Sequence, residues 1–286
     1  MARNREHNGS LTFQIKEKLD SKLCVGQSKH MAKIAGIDRE GIYSWSTYNS
    51  YAKHLNYFTA YCKANYGCRT LDECRLYANE WLKDGMSRGL SPYTLKLEVA
   101  ALSKLYDCKS TAFIPTPSRH RENITRSRLD VVRDKNFSEA KNQPFIEFCR
   151  STGLRRSELE SLTGDKLVQR EDGYYIHVNQ GTKGGRERFS PVVGDVQLVV
   201  DRMTAAGNKL VFSKVNTNAD IHQFRSDYAV RVYQAAARDI STLKREEIYF
   251  CRGDLKGIKY DRAAMLVTSQ ALGHNRISVI AGHYLR

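Results

Sequence analysis

The sequence has no long apolar run, and this absence limits what the chain can be. No stretch of its 286 residues approaches the length needed to cross a bilayer, and the mean hydropathy is −0.54. Residues 1–7 lack the apolar stretch of a secretory signal. A basic amphipathic helix or a lipidation motif that would attach the chain to a membrane is also missing. We therefore expect a soluble, intracellular protein.

Cysteine pairs with the spacing of metal ligands are absent as well. The seven cysteines include no CxxC pair, and the six-residue spacing of Cys62, Cys68 and Cys74 fits no common zinc-ligand pattern. We expect reduced, mostly buried thiols and no structural metal. The sequence also has no internal repeats or low-complexity tracts. Its hydrophobic fraction of 41% is large enough to form cores, which argues against general disorder.

Positive charge is the strongest feature of the composition. Lysine and arginine number 46 against 31 acidic residues, which gives a formal net charge of +15 and a pI near 9.5. A globular protein this basic usually binds a polyanion. Nucleic acid is the expected partner, although charge alone does not distinguish a binding protein from an enzyme.

The pattern along the chain predicts a helical first domain over residues 1–112. One helix is expected over residues 11–34, and a second runs from Tyr48 to Gly67. Thr70 and Glu73 form a capping box for a third, which carries Cys74, Tyr77 and Trp81 on one stripe and ends at Gly85 or Gly89. Ser91 and Pro92 open a fourth helix. The first domain is therefore predicted to be helical.

A basic, proline-broken linker is expected over residues 113–135, followed by a second domain over residues 136–286. The second domain mixes helices with one hairpin. Its first strand is Tyr174 to Val178, and its return strand runs from Arg186 to Val193. The glycine-rich loop between them permits unusual backbone angles.

Two candidate functional residues lie on either side of the first strand. Arg155 begins a helix, where a guanidinium and the helix dipole together favour a phosphate. An ordinary ion pair with Glu158 explains the same residue. Lys183 lies at the hairpin tip, from which an ammonium group could reach into a groove and donate a proton, but surface lysines in turns are common.

Two further patterns follow. His222 and Arg225 share one helix face, one turn apart, while Phe224 and Tyr228 belong to the buried stripe. Imidazole and guanidinium on one face suit a phosphate with proton transfer nearby; two solvated cations at a helix start are the alternative. His274 follows the Gly273 that ends a helix over residues 267–272, and a last helix presents Tyr284.

The order and spacing of these residues resemble the tyrosine recombinases, the phage-integrase family. The resemblance extends from about Phe137 to the end of the sequence, and the first domain is more loosely similar to a SAM-like core-binding domain. It implies a mainly α fold with a small β-sheet or hairpin: a helical core-binding domain and an α+β catalytic domain. Six catalytic residues are implied: Arg155, Lys183, His222, Arg225, His274 and Tyr284.

The resemblance implies phosphoryl transfer without a metal or cofactor. Tyr284 would attack a DNA phosphodiester to form a 3′-phosphotyrosyl bond, and Arg155 and Arg225 would stabilise the negative charge of the transition state. Lys183 would protonate the departing 5′-oxygen. His222 would act as the acid/base partner, and His274 would donate a hydrogen bond to the phosphate. The expected activity is site-specific DNA recombination or integration for a mobile element.

The sequence departs from the family pattern in several places. Tyr284 lies ten positions after His274, one more than usual, and Ser226 replaces a histidine. Residues 237–262 lengthen the interval before His274; a solvated insertion is the preferred interpretation, with DNA or protein contacts as the alternative. Few residues follow Tyr284, whereas family members usually carry a further helix that docks on a neighbouring protomer. We therefore expect the assembly of four protomers on paired DNA sites to be weakened.

The resemblance also implies partners and leaves alternatives open. Double-stranded DNA would be bound by a homotetramer on paired sites, with a monomer in its absence, in the cytoplasm on the nucleoid. A type IB topoisomerase and a catalytically silent DNA-binding protein of the same fold are the alternatives. Basic residues of the first domain and the linker are further candidates for DNA contacts: Lys29, Lys33, Arg119, Arg121, Arg126 and Arg128.

Overall fold

The chain divides into two compact units, Met1–Arg126 and Ser127–Arg286, in a computed structural model that describes residues 9–37, 40–120, 137–182 and 187–285. The first unit is helical in its described part, and the second combines helices with two small antiparallel sheets. The predicted fold class is confirmed. In the described ranges, no helix has both the length and the hydropathy that crossing a membrane requires.

Helices of very different length build the first unit. Its described helices are α1 (Leu11–Asp20), α2 (Lys29–Ile34), α3 (Trp45–Tyr66), α4 (Leu71–Arg75), α5 (Ala78–Ser87) and α6 (Pro92–Leu105). The longest, α3, packs against α1 and α6, and their apolar faces form one core. Leu19, Leu55, Phe58 and Leu102 are almost completely buried there.

Local capping chemistry sets most of these helix ends. The hydroxyl groups of Ser44 and Ser91 accept backbone N–H groups at the starts of α3 and α6, and Gly67 ends α3 in the left-handed conformation. Thr70 and Glu73 form the predicted capping box at α4. The end of α3 at Gly67, the capping box and the start of α6 at Ser91 are confirmed, whereas the cap at Ser44, which starts α3 three residues before Tyr48, was not predicted.

Two predicted helices are each broken in two. The prediction of a single helix over residues 11–34 is wrong, because the backbone of Leu23 forms a bridge to Ile42 and Gly26 adopts a positive φ of 90°. The chain therefore leaves α1 and starts again at α2. The helix after the capping box breaks at Tyr77, which separates α4 from α5. Trp81 is still buried against the core, as its place on the predicted stripe requires.

The second unit places helices around a three-stranded sheet. The helices are α7 (Gln143–Thr152), α8 (Arg156–Glu160), α9 (Val196–Ala206), α10 (Ile221–Ala236), α11 (Arg262–Ala271) and α12 (Ile277–His283). The sheet consists of β1 (Leu167–Arg170), β2 (Gly173–Val178) and β3 (Arg188–Pro191), in that order and antiparallel. The predicted hairpin corresponds to β2 and β3; β1 was not predicted. Ile176 and Val178 face the core opposite Ser190 and Arg188.

The stretch over residues 237–262 is folded, but most of its residues are exposed, so its interpretation as a solvated insertion stays a prediction. It contains a two-stranded sheet of β4 (Ile248–Phe250) and β5 (Lys259–Asp261), and α11 begins at its last residue. Cys251 and Asp261 are buried, and the guanidinium of Arg238 donates to the Asp261 carboxylate at 2.8 and 3.0 Å. The segment joins the same hydrophobic cluster as α10, α11 and α12.

Candidate active site

The first side chain of the candidate site is positioned by the turn between α7 and α8. Gly153 ends α7 with a φ of 62°, a conformation that costs glycine little. Two residues later, the backbone N–H of Arg155 donates to Glu158 Oε2 at 2.8 Å, and Nη1 of Arg155 donates to Oε1 at 2.7 Å. The turn thus fixes both the backbone and the side chain of Arg155 against one buried carboxylate.

Gly153→Ala is expected to destabilise the second unit strongly. A Cβ at this position would lie 2.1 Å from the ring of Tyr228, which is fully buried. Overpacking of this kind costs about 1–3 kcal/mol, and a left-handed alanine costs about 1 kcal/mol more. Gly67→Ala is the matched control, because Gly67 also ends a helix in the left-handed conformation and has nothing near its Cβ position. Denaturant unfolding should show a clearly larger loss for Gly153→Ala; equal losses would contradict the packing argument.

The C-terminal end of α11 gathers three guanidinium groups. The last carbonyls of a helix have no partner within the helix and carry the negative end of its dipole. Here the carbonyl of Ala271 accepts from Arg188 Nε at 3.0 Å. The carbonyl of Leu272 accepts from Arg155 Nη2 at 3.2 Å and from Arg225 Nη2. The end of α11 therefore holds three arginines that come from distant parts of the sequence.

Tyr284 follows α12 and directs its hydroxyl group towards this cluster. Nε of Arg225 donates to Tyr284 Oη at 3.3 Å, and Nε2 of His274 lies 3.1 Å from the same oxygen. The ring of His222 stacks on the tyrosine ring with 5.4 Å between centroids. The extra residue between His274 and Tyr284 thus does not keep the two side chains apart.

A cavity of about 810 Å³ opens beside the tyrosine. Four arginines and one aspartate contribute to its wall, so positive charge dominates. Among the lining side chains are Arg155, Arg156, His222, Arg225, His274 and Tyr284. A guanidinium presents a planar set of donors that matches phosphate oxygens. The cavity therefore combines anion-binding groups with a phenol and two imidazoles.

Burial and mutual repulsion shape the electrostatics of the cluster. Burial lowers the pKa of Arg225 to about 10, so this arginine stays protonated at neutral pH. Burial, reinforced by the charges of Arg225, Arg155 and Arg188, lowers the pKa of His274 to about 4. His274 is consequently neutral at pH 7, and a neutral imidazole has one ring nitrogen that accepts a hydrogen bond.

The imidazole of His274 is expected to titrate near pH 4 in the free protein and at a higher pH when inorganic phosphate is added. The anion would offset the arginine charges that disfavour the imidazolium ion. Folding favours neutral His274, so this residue makes the protein more stable as pH rises from about 4 to about 6.5. NMR titration measures the midpoint, with His274→Gln identifying the signal. A midpoint near 6.5 without phosphate would contradict the arrangement.

Five of the six predicted catalytic residues line this one cavity: Arg155, His222, Arg225, His274 and Tyr284. Lys183 lies outside the described residues. Gly181, two residues before Lys183 in the sequence, contacts α8: its carbonyl accepts a hydrogen bond from Ser157 Oγ at 2.7 Å. Gly181 has a φ of 65°, and a Cβ there would lie 2.3 Å from the Ser157 carbonyl oxygen.

The candidate DNA contacts outside the cavity stay predictions. Lys29 and Lys33 are exposed on α2, and Arg119 is exposed with its guanidinium over the ring of Tyr93 at 5.7 Å. The other candidates, Arg121, Arg126 and Arg128, lie outside the described residues.

Sequence reasoning missed two residues of the cluster. Glu158 was considered only as an ordinary partner of Arg155, yet it is 2% exposed and also accepts two hydrogen bonds from Arg188. Arg188 itself was not singled out. Its place on an inward-facing position of the return strand, in register with Val178, is the signal that could have identified it, because a charge there needs a buried partner.

In the described part of the chain, no three His, Cys, Asp or Glu side chains are arranged to hold a metal ion. Side chains that could bind a phosphate are the cations already described.

Comparison with solved structures identifies the fold. No protein-family model and no curated protein matches the chain. The chain is similar to the XerH site-specific recombinase bound to palindromic difH substrate, with 16% identity over 96% of this chain and 92% of that one and a TM-score of 0.52. It also matches the Tn1549 transposon integrase in complex with circular intermediate DNA, at 13% identity over 97% and 96% of the two chains and a TM-score of 0.49. The match to XerH shows that this chain has the tyrosine recombinase fold.

Proposed function

We propose that the protein is a DNA strand-breaking and rejoining recombinase that acts through a covalent bond between Tyr284 and a DNA 3′-phosphate. One observation carries the proposal: the hydroxyl of Tyr284 lies between Arg225 Nε and His274 Nε2, at the wall of a cavity that Arg155 and His222 also line. Together these residues offer a nucleophile, two groups that can stabilise negative charge and two that can move a proton, all of which suit phosphodiester exchange.

The attacking step follows from these contacts. Tyr284 Oη forms a bond to phosphorus while the bond from phosphorus to the 5′-oxygen breaks, and Arg155 and Arg225 stabilise the charge on the non-bridging oxygens. An arginine N–H can only donate, so the tyrosine oxygen accepts from Arg225. In the tautomer of neutral His274 whose Nε2 carries no hydrogen, this nitrogen can accept the hydrogen of the tyrosine hydroxyl. We assign the phenolic proton to neutral His274. His222, predicted from the sequence as the acid/base partner, is the second imidazole beside the ring.

The departing 5′-oxygen needs a proton, which we assign to Lys183. This assignment rests on the sequence pattern and on the hydrogen bond that ties Gly181, two residues before Lys183, to Ser157 of α8. The phosphotyrosyl bond replaces one phosphoester by another, so a 5′-hydroxyl can attack it and restore the DNA strand without ATP. Among proteins that break and rejoin DNA through a tyrosine, the similarity to XerH over almost the whole chain favours a site-specific recombinase. Integration for a mobile element and assembly on paired sites are part of the same proposal.

The test is an adduct assay on nicked DNA. Duplexes selected by binding from a randomised pool are nicked next to the candidate cleavage position, so that the short 5′-hydroxyl strand diffuses away and the covalent intermediate accumulates. We expect a denaturant-resistant adduct, with Tyr284 as the linked residue in peptide mapping. Strand exchange between two such duplexes should follow when the nick is absent. Relaxation of supercoils without exchange would indicate a topoisomerase, and tight binding without any adduct would indicate a silent DNA-binding protein.

A further inference from the structure

Glu158 is the buried anion around which the arginines of the site are arranged. Its Oε1 accepts from Nη1 of Arg155 at 2.7 Å and from Nη1 of Arg188 at 2.8 Å. Its Oε2 accepts from the backbone N–H of Arg155 and from Nη2 of Arg188, both at 2.8 Å. Burial alone would raise the pKa of Glu158, but the hydrogen bonds from Arg188 outweigh it and lower the pKa to about 2. The carboxylate is thus charged at neutral pH.

The two arginines use this carboxylate in different ways. Arg188 binds both oxygens in the bidentate geometry and donates its Nε to the Ala271 carbonyl, and its side chain is only 6% exposed. Arg155 makes one side-chain bond to Glu158, and its side chain is 22% exposed. Arg155 lines the cavity, whereas Arg188 is not among the described residues that do. Only one of the two guanidinium groups can therefore meet a ligand there.

The charge balance gives this difference a consequence. One carboxylate and one arginine would form a neutral pair, in which Arg155 would have little net charge to offer a phosphate. The second guanidinium leaves the group of three with a net positive charge, carried at the cavity by Arg155. Arg188 carries the same charge as Arg155 and already binds both oxygens of Glu158. It therefore opposes a tighter pairing of Arg155 with that carboxylate.

We propose that Arg188 is a positioning residue that occupies both oxygens of Glu158 and so leaves the guanidinium of Arg155 free to bind a phosphate. The proposal rests on the function proposed above in naming the DNA backbone as the source of that phosphate. Without Arg188, the Glu158 carboxylate would draw Arg155 into a bidentate pair and away from the cavity. If Arg188 only supported the core, its replacement would change phosphate binding equally whether residue 158 were glutamate or glutamine.

A double-mutant cycle separates these two roles. The proteins are the wild type, Arg188→Met, Glu158→Gln and the variant with both changes. Arg231→Met is the matched control, because Arg231 forms a similar pair with Glu147 between α10 and α7, and neither residue is part of the catalytic group. Each variant is first checked for a cooperative thermal transition, so that only folded proteins are compared.

The first readout is the affinity for inorganic phosphate, followed through the NMR signal of His274. Arg188→Met should weaken phosphate binding about tenfold, a coupling of ordinary size within one ion-pair network. In the Glu158→Gln background the same change should have almost no effect, because no charged carboxylate remains to capture Arg155. Arg231→Met should bind as the wild type does. An equal loss in both backgrounds, or no loss in either, would overturn the proposal.

Arg188→Lys covers the case in which Arg188→Met does not fold. Lysine keeps the charge but gives up the bidentate geometry. We expect a smaller loss of phosphate affinity than for methionine, again absent when Glu158 is glutamine. A loss that persists with glutamine at position 158 would overturn the proposal in this comparison too.

The second readout is the rate of adduct formation on nicked DNA, measured over the same cycle. The rate should follow the phosphate affinities, while the affinity for duplex DNA changes little because many other contacts contribute. If the wild type forms no adduct with any duplex, the proposed function fails, and the phosphate measurements still decide the role of Arg188.

Discussion

Tyr284→Phe is expected to abolish the covalent protein–DNA adduct while leaving the protein folded and able to bind duplex DNA. Phenylalanine retains the ring that packs in the hydrophobic cluster of α10, α11 and α12 and stacks on His222. It removes only the oxygen that Arg225 and His274 contact. Because that oxygen would form the bond to phosphorus, we expect the loss of adduct to be complete rather than partial. A gel assay on the nicked duplex, with a binding assay in parallel, measures both properties.

Tyr260→Phe is the matched control for this prediction. Tyr260 belongs to the same hydrophobic cluster, and its hydroxyl donates to the Leu285 carbonyl at 3.1 Å, next to the candidate nucleophile. No other tyrosine lies between Tyr260 and Tyr284 in the sequence, and the hydroxyl of Tyr260 donates to a backbone carbonyl. We expect Tyr260→Phe to retain the adduct. Loss of the adduct in this variant and its survival in Tyr284→Phe would show that the nucleophile is assigned to the wrong residue.

The features that the sequence predicted well are local ones. Ser91 with Pro92 and Thr70 with Glu73 act within a single turn, so the residues that make the interaction are neighbours in the chain. The alternating apolar residues of β2 likewise need only their own strand. The break between α1 and α2 has a local signal in Gly26, but its other cause is distant: the backbone near Leu23 pairs with Ile42 instead of continuing the helix.

The candidate site shows the same division. The order of the motifs identified side chains that meet in one cavity, although each motif was weak by itself. What holds them was not visible, because the acceptors are backbone carbonyls at the end of α11, more than a hundred residues from Arg155 in sequence. An anion site and an ion pair with Glu158 were posed as alternatives for Arg155. The structure has the ion pair, with the carboxylate shared between Arg155 and Arg188; under the role proposed for Arg188, the two alternatives are compatible.

Arg225→Lys is expected to slow adduct formation about a hundredfold or more. The guanidinium of Arg225 is 3% exposed and connects three groups at once: the Gly153 carbonyl, the Leu272 carbonyl and the Tyr284 hydroxyl. A lysine ammonium is a single point on a shorter reach and cannot donate to all three together. Loss of one preorganised donor to a developing oxyanion typically costs about 2.7–4 kcal/mol of transition-state stabilisation. The rate at saturating DNA measures this loss separately from binding.

Arg231→Lys, on the same helix α10, provides the control for a general effect of replacing arginine. Arg231 pairs with Glu147 in a half-buried position and does not line the cavity in the described part of the chain. Its replacement should change the rate little. Thermal melting of both variants separates catalysis from stability, since Arg225→Lys also leaves buried carbonyls without a partner. If the rate falls by the same factor in both variants, Arg225 has no special part in the chemistry. A large fall confined to Arg225→Lys, in a protein that still melts cooperatively, is what a guanidinium shared between the tyrosine and the phosphate requires.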